Sequence, residues 1–449
     1  MKSYVKSIML ILIVTALFAC TATETRMENN PVKTPEVAYS EFALENGMKI
    51  FVVEDHKVPL MKFEIWYNVG SIDEPERISG ISHMLEHTMF LGTKSLGKDK
   101  VHHLTKQVGG WANAGTFYDF TMYEEELPSA KLELAMAIES DRMQNLKIDP
   151  EEFAREQQVV AQERRMRTEN SFFMSSWEEM QSVAFEKHPL HHTVIGWMDS
   201  ILNYSVDDMR AYYSKYYSPN NAVMVVSGDV DPENVHALAV KYFGDYSPKE
   251  ITRLGIVEPE QTEEKFLKIE KITNVPIIAM MYKSPQGDNP DVPVIEALAD
   301  ILVNNSTSRV KTVLKNEKHM IMETAAIPMS FRDSGFVMVY LVPMSVDGMD
   351  DVLGAFDAEI ARLIDGSIEE KELAIVKKSA LKAQIFMMKN TGGMASQMAL
   401  DTVRFGNPEL YKDKLAAIKN MNAEDIKAIA EKYLSKDKRT VAYIVPKSK

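Results

Sequence analysis

Apolar residues recur along this chain with two different periods. In MKIFVVED (48–55), LMKFEIWYNVG (60–70), FLKIEKI (266–272) and PIIAMMYKS (276–284) they alternate or cluster in short bursts rich in Ile, Val, Phe and Met, which predicts strands. In AKLELAMAIESDRMQNL (130–146), PEEFAREQQVVAQERRMRTE (150–169), VPVIEALADILVN (292–304) and KELAIVKKSALKAQIFMM (371–388) they return every three or four residues, which predicts helices. Both kinds occur in each half of the chain without regular alternation, so the fold class is α+β.

The pattern also repeats at long range. SVDDMRAYYSKYYSPNNAVMVV, from Ser205, and NAEDIKAIAEKYLSKDKRTVAYIV, from Asn422, both read as helix, turn and strand. At a constant offset of 217, Asp208 matches Asp425, Ala211 matches Ala428, Tyr216 matches Tyr433 and Ser218 matches Ser435. That offset is close to half the chain, as internal duplication would give. The expected domains are 39–246 and 265–449, joined by the Pro- and Glu-rich, aperiodic linker 247–264.

A shorter pattern, GISHMLEHTMFLG (80–92), lies between glycines and contains no proline, which fits one brief helix. Ile81, Met84, Leu85, Met89 and Phe90 form its buried stripe, and His83 and His87 share the polar face one turn apart.

Length and composition narrow the picture. A chain of 449 residues, 45% hydrophobic and 26% charged, is long enough for two cores in a water-soluble body. The net charge of −14, with no basic stripe, excludes nucleic acid as a partner. The 29 methionines are read as soft core filling.

At the N-terminus, Lys2 and Lys6 precede an apolar run from Ile8 to Phe18 that is short for a lone membrane span. Leu17-Phe18-Ala19 before Cys20 resembles a lipobox. The expectation is a lipoprotein signal peptide over 1–19, lipidation of Cys20, and a tether over 20–38. Cys20 is the sole cysteine, so no disulfide forms within the chain.

Two histidines one turn apart can chelate zinc from a single helix, and Glu86 beside them can serve as general base. An open catalytic site needs a third protein ligand. The helix of 151–169 offers Glu156 and Glu163, seven residues apart on one face. The adjacent pairs His102-His103 and His191-His192 are read as structural or solvated, because neighbours on a helix or strand do not converge. Glu124-Glu125-Glu126 is read as a solvated strand end. With no G-x-S-x-G and no free cysteine in the body, acyl-enzyme chemistry is excluded.

HMLEH is the inverted H-x-x-E-H pattern. Together with REQQVVAQERRMR, GGWANAGTFYDFTMYEEELP, HPLHHTVIGW and YYSPNNAVMVVSGDVDPENV, it resembles the pitrilysin/insulinase family of metallopeptidases, most similar to its short two-domain members. The resemblance implies two homologous α/β-sandwich domains. It also implies one zinc per chain on His83, His87 and Glu163, with Glu86 as catalytic base and Glu156 as a supporting carboxylate. Peptides or unfolded segments would be the substrates, bound at Asn113, Ala114 and Thr116 on an exposed edge strand. WANAGTFYDFTMY reads as one strand-like segment with Asn113 and Thr121 on one side.

One stretch departs from the family pattern. Where self-sufficient relatives carry an arginine and, seven positions later, a tyrosine, this chain has Lys315 and Met322; Arg404 and Tyr411 have the spacing but lie far downstream. The expectation is a catalytic half that works with a related partner subunit supplying Arg and Tyr. The expected location is extracytoplasmic, held by lipidated Cys20, on the periplasmic face of the outer membrane. The alternative function is a non-catalytic structural or assembly subunit of the same fold.

Overall fold

Strands with apolar residues at consecutive positions need cover on both faces, and the topology supplies it from both halves. The computed structural model describes residues 37–366, 368–388 and 391–447. The expected signal peptide, Cys20 and nearly all of the expected tether lie outside these residues. Among the described residues, no helix is long and apolar enough to cross a membrane.

The first sheet comprises β1 (Ser40–Ala43), β2 (Lys49–Glu54), β3 (Leu60–Tyr67), β4 (Trp111–Thr116), β5 (Thr121–Pro128) and β6 (Ala222–Gly228), in the order β1-β2-β6-β3-β5-β4. The second comprises β7 (Lys265–Lys271), β8 (Ile277–Ser284), β9 (Ile321–Ser330), β10 (Gly335–Pro343) and β11 (Arg439–Pro446), in the order β7-β11-β8-β10-β9. Apart from β1, the two orders are the same. Each sheet contains one parallel pair, with Lys49 opposite Val223 in the first and Lys265 opposite Thr440 in the second. Two α+β domains with one topology are the fold that the long-range echo predicted.

Helices that matter to the site are α1 (Ile81–Thr88), α2 (Pro150–Arg164), α3 (Phe172–Ala184), α4 (Val206–Tyr216), α5 (Val292–Ala299), α6 (Glu370–Met388), α7 (Thr391–Phe405) and α8 (Ala423–Tyr433). On the first sheet Ile50, Val52 and Phe63 face a core shared with Met84, Leu85 and Met209. The alternate residues Phe51, Val53 and Val225 face Met394, Met398 and Val403 of α7, from the second half. The second sheet is the mirror case: Ile278 and Met280 meet Leu298 and Ile426, while Ala279 and Met281 meet Met180 and Ala184 of α3, from the first half. The halves thus exchange a helix, and each covers the other's outer sheet face. Buried methionines line all four clusters, as soft core filling would have it.

Residues 247–264 carry no helix or strand but are strapped to the body. The Glu258 carboxylate accepts from the N–H groups of Glu186, Lys187 and His188, and Arg253 pairs with Asp73 at 2.7 Å. The reading of Glu124-Glu125-Glu126 as a solvated end is corrected. Lys62 on β3 pairs with Glu124 at 2.8 Å, and the fully buried Arg142, on the helix Leu132–Asn145, pairs with Glu125 at 3.2 Å, so both carboxyls have partners within the fold. Only Glu126 is exposed.

Candidate metal centre

The polar face of α1 meets the polar face of α2. Met84 and Leu85 anchor α1 in the core against Phe153, Val160 and Ala161 of α2, which leaves His83 and His87 opposite Glu156 and Glu163. α2 starts where Asp149 caps the N–H groups of Glu151 and Glu152 ahead of Pro150. α1 has no cap of its own. Instead the buried Glu74 carboxylate accepts from the N–H of Gly80 at 2.5 Å and of Ser82 at 2.8 Å. No local sequence signal marks Glu74, because the contact is made by a folded-back arm.

One ligand atom each from His83, His87 and Glu163 lie within 4.8 Å of one another. His83 Nε2 is 4.0 Å and His87 Nε2 3.4 Å from the two Glu163 oxygens. His87 donates Nδ1–H to Glu156 at 2.8 Å, a bond that leaves Nε2 turned toward Glu163. Arg167, one turn beyond Glu163, holds its Oε1 at 2.6 Å. That neighbour was findable from its i+4 spacing.

The electrostatics suit a cation. Burial, then the neighbouring His87, push the His83 imidazole down to about 4, so His83 is neutral and able to coordinate. Burial works against a charge on His87 as well, but hydrogen bonds to Glu156 and Glu163 outweigh it and hold His87 up at about 9. Without metal the site therefore holds its own positive charge, a proton between two carboxylates. The hydrogen bond from His87 keeps Glu163 below its ordinary value. Two imidazoles and a carboxylate with one open position are the donor set of a catalytic zinc, and the residues fit that ion.

Glu86 lies beside this triplet, within electrostatic reach of His87 and Glu163. Thr116 Oγ1 donates to Glu86 Oε2 at 2.6 Å. Burial raises the Glu86 carboxyl above its ordinary value, and Thr116 draws it back only in part. Thr116, expected to bind substrate, is thus placed to orient the base. Glu156 touches His87 through its Nδ1, where it can orient that ring.

WANAGTFYDFTMY is a hairpin, not one strand. Phe117 N–H bonds to the Phe120 carbonyl at 2.8 Å and closes a turn between β4 and β5. Thr116 therefore lies opposite Thr121, and Asn113 opposite Glu124, which puts Asn113 and Thr121 on different faces, contrary to the sequence reading. The alternation set by the turn pairs Asn113 and Gly115 with β5. It turns the backbone groups of Ala112 and Ala114 outward, and β4 is the edge of its sheet. Ala114 packs on the α1 side, whereas Asn113 is exposed on the other face. A groove of about 590 Å³ opens beside His83 and Glu163, walled by Phe117, Phe173, Trp177, Ile195 and Met329.

Lys315 and Met322 are elsewhere. Lys315 pairs with Glu323 at 2.6 Å. Met322 lies seven residues before Met329 on β9, about 23 Å along an extended strand. Arg404 pairs with buried Asp119 at 2.7 Å, and Tyr411 is buried under the first sheet. In the second half, α5 occupies the position of α1 and carries no histidine.

Comparison with known proteins agrees with this division. Residues 49–196, which contain all five metal-centre residues, match the family model for insulinase (peptidase family M16), and residues 203–380 match that for the peptidase M16 inactive domain. The chain is 28% identical over 418 residues to the zinc protease PqqE of Helicobacter pylori, covering 91% of this chain and 93% of that protein. A crystal structure of a protease from Helicobacter pylori superposes with a TM-score of 0.86 at 27% identity, covering 91% of this chain and all of that one. The periplasmic protease PqqL of Escherichia coli has the same fold, with a TM-score of 0.76 at 20% identity over 92% of this chain and 48% of that one. Zinc and proteolysis are thus attached by name to a relative of nearly equal length, and the histidines, glutamates and duplicated sheets described above place the chain in the pitrilysin/insulinase family, peptidase family M16.

Proposed function

We propose that this chain is a zinc-dependent endopeptidase that hydrolyses peptides or unfolded segments. The observation that carries this reading is the convergence of His83, His87 and Glu163 beside Glu86, next to an edge strand with free backbone groups. Zinc, one ion per chain on those three ligands, would polarise the scissile carbonyl and acidify water. Glu86 takes the proton of the attacking water and passes it to the leaving amine. Thr116 fixes one Glu86 oxygen and leaves the other for that proton. An extended peptide adds to β4 at Ala112 and Ala114, where backbone hydrogen bonds tolerate many sequences.

The test is Glu86→Gln, which keeps the zinc and loses turnover, because an amide cannot accept the proton. Metal analysis beside a peptide-cleavage assay reads both. An active variant refutes the assignment, and a zinc-loaded wild type without activity in any combination favours the assembly-subunit alternative.

The partner reading is supported by the position of Met322, at the end of β9 remote from Met329 and the groove, and of Lys315, in the helical segment before β9 and paired with Glu323. A related subunit would bring the arginine and tyrosine. Cleavage by the mature chain, alone and with such a partner, together with light scattering, distinguishes a heterodimer from a self-sufficient enzyme. The apolar leader and Cys20 support lipid anchoring outside the cytoplasm, and the periplasmic location of PqqL agrees with the compartment. Thr21 after Cys20 favours the outer membrane. Mass spectrometry of the N-terminal peptide decides, and an unmodified Cys20 overturns the anchor.

A further inference from the structure

Outside the catalytic triplet, the described residues hold one other group of at least three side chains that could ligate a metal: Glu76, His191 and His192. The sequence reading set His191 and His192 aside because adjacent residues of a helix or strand diverge. They share no helix or strand. His191 ends a single turn of 3-10 helix, Pro189–His191, and His192 follows it in extended conformation, so the two rings come to 5.3 Å between centroids. Glu76 reaches them from the arm that leads into α1. Ligand atoms of the three lie within 4.8 Å of one another.

His192 supplies the independent observation. Its side chain is fully buried, and its Nδ1–H donates to the Thr193 carbonyl at 2.9 Å. That bond fixes the tautomer and leaves a lone pair on Nε2, which has no hydrogen-bond partner. A buried orphan acceptor costs on the order of 1–3 kcal/mol. An imidazole held through one nitrogen by a backbone carbonyl, with the other nitrogen bare, is how metal-ligating histidines are arranged. His191 Nε2 meets Glu76 Oε2 at 2.6 Å, and Glu76 is 63% exposed, so its carboxylate can swing to close the site while water fills the remaining positions.

We propose that Glu76, His191 and His192 form a second, solvent-accessible site for a borderline divalent transition-metal ion such as zinc. Two imidazoles and one carboxylate suit such ions better than calcium or magnesium. The site is a staple rather than a reaction centre. It ties the arm before α1 to the loop 188–197, two segments already in tight contact: Gly80 has φ +87°, and a Cβ there would lie 2.2 Å from the Ile195 carbonyl oxygen. Ile195 and Thr193 of that loop also wall the groove beside His83. Occupancy would therefore stiffen both the root of α1 and one wall of the groove.

The test is zinc binding by the mature chain, measured by equilibrium dialysis as free zinc is raised through the micromolar range, with the melting temperature followed in parallel. Wild type should bind one more equivalent than His191→Asn or Glu76→Gln, both partly exposed positions that leave the core intact. Only wild type should gain thermal stability as that last equivalent binds. The difference between wild type and variant counts this site whatever the catalytic triplet holds, so the outcome is independent of the peptidase reading. Equal stoichiometry and equal melting temperatures would overturn the proposal and leave Glu76–His191 as a surface ion pair beside a core histidine.

Discussion

Replacing Glu156 tests whether the second helix orients the metal centre or merely packs against it. Its carboxylate accepts His87 Nδ1–H at 2.8 Å, with both side chains about four-fifths buried. A hydrogen bond to a charged group in such a place contributes about 1.5–3 kcal/mol. Glu156→Leu removes the acceptor and strands the ring N–H, so zinc affinity should fall by roughly ten- to a hundredfold. Glu156→Gln keeps an acceptor oxygen but loses its charge, and the loss should be about fivefold, roughly 1 kcal/mol. Competition with a chromophoric chelator at fixed pH gives the zinc dissociation constants. Turnover at saturating zinc should recover more fully for the Gln than for the Leu variant. If the Leu variant folds and binds zinc as tightly as wild type, Glu156 does not orient His87 and the geometric argument fails.

Thr116→Val preserves shape but withdraws the hydroxyl from Glu86, and kcat should fall by roughly ten- to a hundredfold, from about 1.5–3 kcal/mol of lost support, with zinc content unchanged; a kcat equal to wild type would separate Thr116 from the base. Ala114→Pro removes a backbone donor that the sheet itself does not use, so the protein should fold with a normal melting temperature while KM rises for several unrelated extended peptides; unchanged kinetics would refute substrate addition to β4. Arg404→Met leaves the fully buried Asp119 without its guanidinium partner, although Arg332 still donates its N–H at 2.8 Å, so urea denaturation should show a loss near the low end of the buried-pair range, about 3 kcal/mol.

Periodicity and spacing made much of this molecule legible. The strands at 49–54 and 277–284 and the helices at 132–145 and 370–388 fall where the apolar pattern put them. The offset of 217 between the echoing segments is the offset between β6 and β11. The convergence of α1 on α2 could be read from residues four and seven apart, because helix geometry alone sets which side chains share a face. What escaped depends on contacts between segments remote in sequence. The hairpin in WANAGTFYDFTMY was missed because Phe117-Tyr118-Asp119-Phe120 carries no glycine or Asn-Gly signal. Its turn is held instead by burial of Tyr118 and by pairing of Asp119 with Arg404, 285 residues away. Glu124 and Glu125 read as solvated because their partners Lys62 and Arg142 come from other elements. His191 and His192 were dismissed by a rule for regular structure that does not hold in a turn.

The exchanged helices bear on why a half without ligands stays attached to the half that has them. The second half offers no histidine in α5 and keeps Lys315 paired with Glu323, so it adds no evident chemistry to this centre. It does hold the edge of the first sheet in place. α7 lies beneath β2, β3 and β6, and its Ser396 donates to buried Glu64, beside the Lys62–Glu124 pair on β3 and β5. Arg404 at the end of α7 fixes the tip of the β4–β5 hairpin through Asp119, while Arg332, beyond β9, reaches Asn68 at 2.6 Å and Asp73 at 2.8 Å in the arm that leads to α1. An edge strand left without such support would be free to twist or pair elsewhere. The first half would then keep its metal ligands, which α1 and α2 hold by themselves, and lose the register between Ala114 and Glu86. On the proposed peptidase reading, the duplicated half serves by fixing the edge against which a peptide would be laid, and substitutions in α7 should raise KM before they change zinc content.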